Sequence, residues 1–110
     1  MKEINKPNFN EGSISFWIPA LAFPYNDKIT HKLFEYSDEK GAILILKDAD
    51  NKLKCFHVYL GKGRTDVEAD VSHLDSNEPH MVVVTWSLPK KELVLYIDGQ
   101  KSSISTISYA

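Results

Sequence analysis

Acidic side chains alternate along residues 65–71, TDVEADV, in a pattern that can support acid–base chemistry. On an extended strand, Asp66, Glu68 and Asp70 fall on one side, with about 7 Å between successive positions. Pairs of carboxyl groups at roughly that separation hydrolyse glycosidic bonds. The same alternation is typical of an edge strand whose charged side faces solvent and discourages aggregation. We favour the edge strand, and the paired carboxylates remain the alternative.

A second acidic group, Asp48, Asp50 and Asn51, resembles the start of a calcium-binding loop. An EF-hand loop needs glycine at its sixth position and glutamate at its twelfth, where this sequence has Leu53 and Tyr59. Asp and Asn favour turns through their own side-chain hydrogen bonds. We therefore expect a hairpin turn and no cofactor, with calcium left open as the alternative.

The other residue types that bind metals or attack substrates are scattered. The four histidines, His31, His57, His73 and His80, lie far apart in sequence, and the only cysteine is Cys55. A zinc site requires closer groups of such ligands. The sequence also lacks a nucleophile elbow and a phosphate-binding glycine loop, so we expect a protein that is not an enzyme.

The composition indicates one compact domain over residues 1–110. Hydrophobic residues make up 43% of the chain and charged residues 25%, with a formal net charge of -2. This balance gives no basic surface for nucleic acid. The sequence also has no apolar run close to the roughly 20 residues that a membrane-spanning helix requires. The polar start leaves the compartment open: cytoplasmic, or extracellular if the chain comes from a larger secreted protein.

Strand patterns account for most of the chain. Ser13–Ile18 alternates strictly between apolar and polar residues, whereas residues 20–30 read as a long loop with aromatic anchors. Further strands are predicted at His31–Tyr36, Ala42–Lys47, Leu53–Leu60, Thr65–Val71, in the two apolar runs of residues 81–100, and weakly at Lys101–Ser108. Short strands with a turn signal about every ten residues predict an antiparallel sandwich or barrel.

Three stretches carry a family resemblance: EGSISFWI, HKLFEYSDEKGAILILKDADNKLKCFHV and EPHMVVVTWSLPKKELVLYIDGQ. Their order resembles the laminin G-like, or concanavalin A-like, jelly-roll family, which has strands of the types G-x-I-x-x-W-I, W-H-H-V-A-V-T-W and L-x-L-Y-V-D-G. The resemblance covers about residues 12–101 and implies an all-β, antiparallel jelly-roll-like β-sandwich. Pro79 stands where the family usually has tryptophan. The glycosidases of the family carry Glu-x-Asp-x-x-Glu, which this sequence lacks.

In such a sandwich each strand has one side in the core, and the register then assigns two sets of residues. Thr85 and Asp98 are placed outside. The core set is Val82, Val84, Trp86, Leu93, Leu95 and Ile97, joined by Phe56, Val58 and Leu60. The opposite side receives Trp17, Cys55, His57, Tyr59, Val83 and Tyr96. Aromatic rings stack on sugars, while hydroxyl and imidazole groups supply hydrogen bonds.

We therefore predict a carbohydrate-binding module whose ligand residues are Trp17, His57, Tyr59 and Tyr96. The alternative for this surface is that the loop at Phe23–Tyr25 folds over it and makes a second small core. The alternative for the whole protein is a structural or protein-interaction domain that assembles through open sheet edges, and a glycoside hydrolase is a distant third. Because few residues follow the last hairpin to close the sheet, we also expect a homodimer.

Overall fold

The computed structural model describes residues 8–109, which fold into eight strands in two antiparallel sheets. The strands are β1 (Glu11–Ile18), β2 (His31–Asp38), β3 (Gly41–Lys47), β4 (Lys52–Tyr59), β5 (Gly63–Asp70), β6 (His80–Ser87), β7 (Glu92–Ile97) and β8 (Gln100–Thr106). The front sheet has the order β1-β6-β7-β8, and the back sheet has the order β2-β3-β4-β5. The predicted all-β jelly-roll-like sandwich is thereby confirmed.

The turn between β7 and β8 shows how local sequence sets the register. Asp98 and Gly99 both have positive φ angles, 53° and 84°, and they connect the paired residues Ile97 and Gln100. Asp-Gly favours this two-residue turn because its twist matches that of the flanking strands. The turn sets Ile97 and Tyr96 opposite Gln100 and Lys101, and a register shift beyond Tyr96 sets the rest of β8.

The core lies between the sheets and contains the residues that the hairpin pattern predicted. Trp86 is only 2% exposed, and its indole N–H donates a hydrogen bond of 2.6 Å to the carbonyl of Asn8. The apolar side chains buried with it include Ile18, Ile43, Ile45, Leu53, Cys55, Val67, Val71, Val82, Val84, Leu93, Leu95 and Ile107. Ile97 packs against this cluster at its margin.

The predicted orientation of β4 was wrong. Phe56 and Val58 lie on the outer side of the back sheet, and Leu60, just beyond the strand, is 58% exposed. Both sides of the strand carry apolar residues from Cys55 onward, so the apolar pattern alone is ambiguous. The lysines at the start of the strand show which side faces outward. Lys54 is charged and points to solvent, and Phe56, two residues further on, lies on the same side.

The loop of residues 19–30 closes one end of the sandwich and does not cover a sheet. Phe23 and Tyr25 are buried in the same core cluster as Ile18. Phe23 stacks on the His31 ring at a centroid distance of 4.2 Å, and Tyr25 meets His80 edge to face. The alternative in which this loop covers the aromatic surface is therefore wrong.

The last strand, β8, pairs with β7 along its length and completes the front sheet. A register shift beside Leu95 and Tyr96 leaves Ile104 on the outer side, 52% exposed, while Ile107 is buried in the core. The C-terminal segment is thus used to close its own sheet. The homodimer, which we expected because few residues follow the last hairpin, stays a prediction.

Candidate functional site

The structure brings together two of the four predicted ligand residues. Trp17 lies on the outer side of β1, 60% exposed, and Tyr96 lies on the outer side of β7. His57 and Tyr59 belong to β4, and their side of that strand faces the core. The single surface predicted for all four was wrong because β4 is in the other sheet, with the opposite orientation.

His57 is fully buried and its ring has two partners. Nε2 lies 2.9 Å from the carbonyl oxygen of Phe9, and Nδ1 lies 2.6 Å from the hydroxyl of Tyr109. Because a carbonyl only accepts, Nε2 carries the proton and Nδ1 accepts from Tyr109 in the neutral ring. Burial lowers the pKa of His57. Its role here is to satisfy polar groups inside the sandwich, where no ligand reaches it.

The outer side of the front sheet, here called the aromatic face, consists of Trp17, Met81, Val83, Thr85, Val94, Tyr96 and Ile104. Trp17 pairs with Met81, and Val83 pairs with Tyr96 one row further along. Strand spacing and rise place the Trp17 and Tyr96 Cα atoms about 12 Å apart. Apolar Met81 and Val83 fill the space between the two rings.

Small hydroxyl side chains flank these rings on the same face. Ser13 and Ser15 alternate with the core residues of β1, and Thr85 continues the row of Ser13 across β6. Lys101 of β8 pairs with Tyr96 of β7 and adds a cationic side chain at the β8 edge of the face. The aromatic face thus combines two rings with hydrogen-bonding groups at its edges.

Asp98 lies at the end of the row formed by Trp17 and Met81, and sequence reasoning missed it as a site residue. Its Oδ1 accepts the backbone N–H of Met81 at 2.9 Å, and its Oδ2 lies 2.7 Å from Nδ1 of His80. Although burial opposes ionisation, the hydrogen bond from His80 keeps the pKa of Asp98 below its usual value. The Tyr96-Ile97-Asp98-Gly99 motif was the available signal. The carboxylate is 43% exposed and offers free lone pairs beside the aromatic face.

A cavity of about 470 Å³ adjoins the same turn, at the end of the sandwich. Its polar wall includes Asp98, Gln100 and Ser102 from the turn and the start of β8. Across from them lie Asp70 and His73, while the apolar part of the lining comes from Ala69, Val71, Leu74 and Ile97. Polar groups therefore continue from Asp98 into the cavity, on the side away from the aromatic rings.

The three alternating carboxylates of β5 each have a separate partner on the strand or beside it. Arg64 binds Asp66 through two hydrogen bonds of 2.7 Å. Glu68 lies 3.2 Å from the ammonium of Lys52. Asp70 accepts hydrogen bonds from the backbone and side chain of Ser72, which hold the pKa of Asp70 below its usual value. This arrangement is that of a charged edge strand.

The Asp48 region forms a turn. One oxygen of Asp48 accepts the backbone N–H groups of Asp50 and Lys52, and the other lies 2.9 Å from the ammonium of Lys54. Within residues 8–109, no group of three or more His, Cys, Asp or Glu side chains is placed to hold a metal ion. The same residues contain no helix able to cross a bilayer.

Within residues 8–109, two four-stranded antiparallel sheets enclose one core, which is the architecture of a β-sandwich domain. A laminin G family model, described as the concanavalin A-like lectin/glucanases superfamily, matches residues 3–110. The chain belongs to this superfamily. No curated protein matches the sequence significantly.

Proposed function

We propose that this domain is a non-catalytic module that binds an oligosaccharide across the aromatic face. The observation that carries the proposal is that Trp17, which is 60% exposed, shares one outer sheet surface with Tyr96. Burying apolar area is favourable, so a large exposed ring is common where a ligand binds. A flat sheet surface suits an extended ligand better than a small compact one.

The chemistry of the face fits a sugar. A pyranose presents axial C–H groups to the apolar face of an aromatic ring and hydroxyl groups around its edge. Asp98, two residues beyond Tyr96 and in the same row as Trp17, supplies acceptors, and Lys101 supplies donors beside Tyr96. With about 12 Å between the ring-bearing positions, one chain of several sugar units contacts both rings. Each ring contributes about 1 kcal/mol, so a single domain binds weakly.

A glycan array identifies ligands, and calorimetric titration of the best ligand then tests the face. We expect Trp17→Ala and Tyr96→Ala each to weaken binding by roughly fivefold, the equivalent of about 1 kcal/mol. Leu60→Ala is the matched control, since Leu60 is an equally exposed apolar side chain beside the other sheet. Unchanged affinity in both folded aromatic variants removes the site from this face.

A repeat of the titration with a calcium chelator addresses the ion left open by the sequence. We expect unchanged affinity, because Asp48 is occupied by its own turn and by Lys54. Calcium-dependent binding would instead place the ligand at carboxylates away from the aromatic rings.

A protein-interaction domain is the second candidate, and one observation favours it. The outer side of the back sheet is also apolar at its centre, with Leu44, Phe56 and Val58 only half-buried. Assembly through open edges, as predicted from the sequence, has less support at β5. There the charged side chains Arg64, Asp66 and Glu68 line an edge strand, a common defence against pairing with another chain.

A further inference from the structure

The cavity of about 470 Å³ beside Asp98 has a lining to which the two aromatic rings do not contribute. It is formed where the end of β5, in the back sheet, comes opposite the turn between β7 and β8, in the front sheet. Its volume falls within the roughly 300 to 1,000 Å³ of pockets that bind small molecules. The cavity is therefore large enough to hold one part of a longer ligand.

Hydrogen bonds hold the walls of the cavity in place. The backbone N–H of Asp98 donates to the carbonyl of Met81 at 2.9 Å, and Oδ1 of Asp98 accepts the N–H of Met81 at the same distance. Ser105 joins the edge strands of the two sheets, because its hydroxyl donates to the carbonyl of Asp66 at 2.6 Å. A site whose shape is fixed in advance loses less entropy when a ligand enters.

The polar part of the lining offers both acceptors and donors. The carboxylates of Asp70 and Asp98 only accept, whereas the amide of Gln100 and the hydroxyl of Ser102 do both. Within residues 8–109, no hydrogen bond engages the amide of Gln100 or the ring of His73. A ligand rich in hydroxyl groups uses both kinds of partner, because each hydroxyl donates one hydrogen bond and accepts others.

The charge of the lining is negative. Hydrogen bonds from Ser72 lower the pKa of Asp70, and in Asp98 burial opposes ionisation but the hydrogen bond from His80 lowers the pKa. His80 offsets part of the charge of Asp98, whereas Asp70 has no ion pair among the described residues. The described lining also contains no Lys or Arg. Like charges in contact oppose association, so the cavity disfavours an anionic group.

Apolar side chains form the floor of the cavity. They include Val71, Leu74 and Ile97, and Val71 closes the inner end because it is only 1% exposed and belongs to the core. An apolar floor below a hydrogen-bonding rim matches a sugar ring, which has C–H groups on its faces and hydroxyl groups at its edge.

We propose that this cavity binds the terminal unit of the oligosaccharide and selects a neutral sugar, one without a carboxylate or sulfate group. The inference deepens the function proposed above and rests on it, because the rest of the ligand lies on the aromatic face. Asp98 connects the two parts, since it lines the cavity and lies in the row of Trp17 and Met81. The chain of sugar units ends in the cavity because Val71 closes it. A carboxylate or sulfate adds a charge of the same sign as that of Asp70.

NMR titration of the labelled protein tests the cavity with single sugar units. The neutral probes are the methyl glycosides of glucose, galactose and mannose, and glucuronate and galacturonate are their anionic counterparts. Concentrations up to about 100 mM suit the weak binding of one unit. We expect a neutral probe to shift the amide signals of Gln100 and Ser102, and its anionic counterpart to bind roughly fivefold more weakly. The indole signal of Trp17 reports on the aromatic face separately.

Two variants separate filling of the cavity from its charge. Ser102→Phe fills the cavity and should abolish the Gln100 shift while the Trp17 shift remains. Thr106→Phe is the matched control, since Thr106 is exposed on the same strand and outside the lining. Asp70→Asn keeps the shape of the side chain and should reduce the fivefold preference to about twofold, because one of the two charges is removed.

The possible results distinguish this inference from the proposed function. Shifts at Trp17 alone would overturn the cavity and leave the aromatic face in place. Shifts at the cavity alone would remove the aromatic face and keep the cavity. Equal binding of neutral and anionic probes, a preference unchanged in Asp70→Asn, or a Gln100 shift that survives in Ser102→Phe would each overturn the inference. No shift with any neutral probe would overturn it as well.

Discussion

The ammonium nitrogen of Lys47 lies 2.5 Å from Oδ1 of Asp27, and the lysine side chain is fully buried. The other carboxylate oxygen of Asp27 lies 2.7 Å from Nε2 of His31. The hydrogen bond from Lys47 is the main reason that the pKa of Asp27 is held far below its usual value. The carboxylate of Asp27 therefore connects the loop of residues 19–30 to His31 at the start of β2 and to Lys47 at the end of β3.

Asp27→Ala is expected to lower the melting temperature by roughly 10 °C, because the buried ammonium of Lys47 then loses its counter-ion, although Oδ1 of Asn51 remains 3.2 Å away. Lys47→Met should cost less, since Asp27 then keeps His31 and some contact with water. Asp50→Ala, a change at an exposed acid of the neighbouring turn, is the control. Thermal melts compare the variants. Equal melting temperatures for Asp27→Ala and Asp50→Ala would show that the ion pair contributes nothing.

The same carboxylate predicts the response of the protein to acid. A folded-state pKa below the ordinary 3.8 means that the unfolded chain binds the proton more readily. The stabilisation is therefore fully present above that value and is lost as the pH falls below it. Urea denaturation at a series of acid pH values should show a smaller loss of unfolding free energy in Lys47→Met than in the parent, because the pKa of Asp27 is lowered less in that variant. Equal losses in the two proteins would contradict this.

His80 should titrate above its ordinary range. Its Nδ1 lies 2.7 Å from the Asp98 carboxylate and its Nε2 lies 2.7 Å from the Asp75 carbonyl oxygen. Both partners only accept, so the ring donates from both nitrogens and is charged. Burial opposes this, but the hydrogen bond to Asp98 raises the pKa of His80. The folded state then binds more protons, and stability is lost as the pH rises from 6.5 through the folded-state pKa.

Urea denaturation between about pH 6 and about pH 9 measures that loss, and NMR of the ring measures the pKa directly. Asp98→Asn removes the carboxylate and should flatten the dependence. A His80 pKa below 6.5 in the parent would show that burial outweighs the hydrogen bonds.

His57 should produce the opposite slope. Burial lowers the pKa of His57 below 6.5, so the unfolded chain takes up the proton first and stability decreases as the pH falls from that value. His57→Gln removes the titrating group and should abolish this contribution, although it also disturbs Phe9 and Tyr109. Denaturation between about pH 4 and about pH 6.5 compares the two proteins. A parent with no His57-dependent slope would contradict the assignment of a neutral ring.

Trp86→Ala should cost about 3 to 5 kcal/mol, because it empties the centre of the core. Gly12→Ala should also destabilise the domain, since a Cβ atom there would lie 2.9 Å from Cζ2 of Trp86. Trp17→Ala is the control, because Trp17 is the exposed tryptophan of the same sheet. Urea unfolding gives the three free energies. Similar losses for Trp86→Ala and Trp17→Ala would show that the register of β6 is wrong.

The sequence predicts the front sheet well because polar residues fix its register. Thr85 on β6 and Asp98 at the end of β7 leave one orientation for Val84, Trp86 and Leu95, and the structure confirms it. For this reason Trp17 and Tyr96 were placed together correctly on the outer side. The family resemblance added the arrangement of the strands into a sandwich. The alternation of residues within one strand cannot predict which other strand it pairs with.

The back sheet is harder because both of its sides carry apolar residues. In β4, Phe56 and Val58 have the bulk of core residues yet lie outside, and only Lys52 and Lys54 reveal this. The buried ammonium of Lys47 was unpredictable for a different reason. Its counter-ion lies twenty positions away, in a loop without periodicity. Contacts of that kind depend on the fold and leave no local pattern in the sequence.

The order of strands in the two sheets has a consequence for synthesis on the ribosome. The back sheet is built from consecutive strands, so its hairpins can form as soon as each one emerges. Among the strands of residues 8–109, β1 pairs only with β6, and Ile18 is the partner of His80. The first strand must therefore wait, with the apolar Ile14 and Phe16 unprotected, until most of the chain exists. Slowed translation between β1 and β6 would prolong the interval in which a nascent chain is a target for chaperones or for its neighbours.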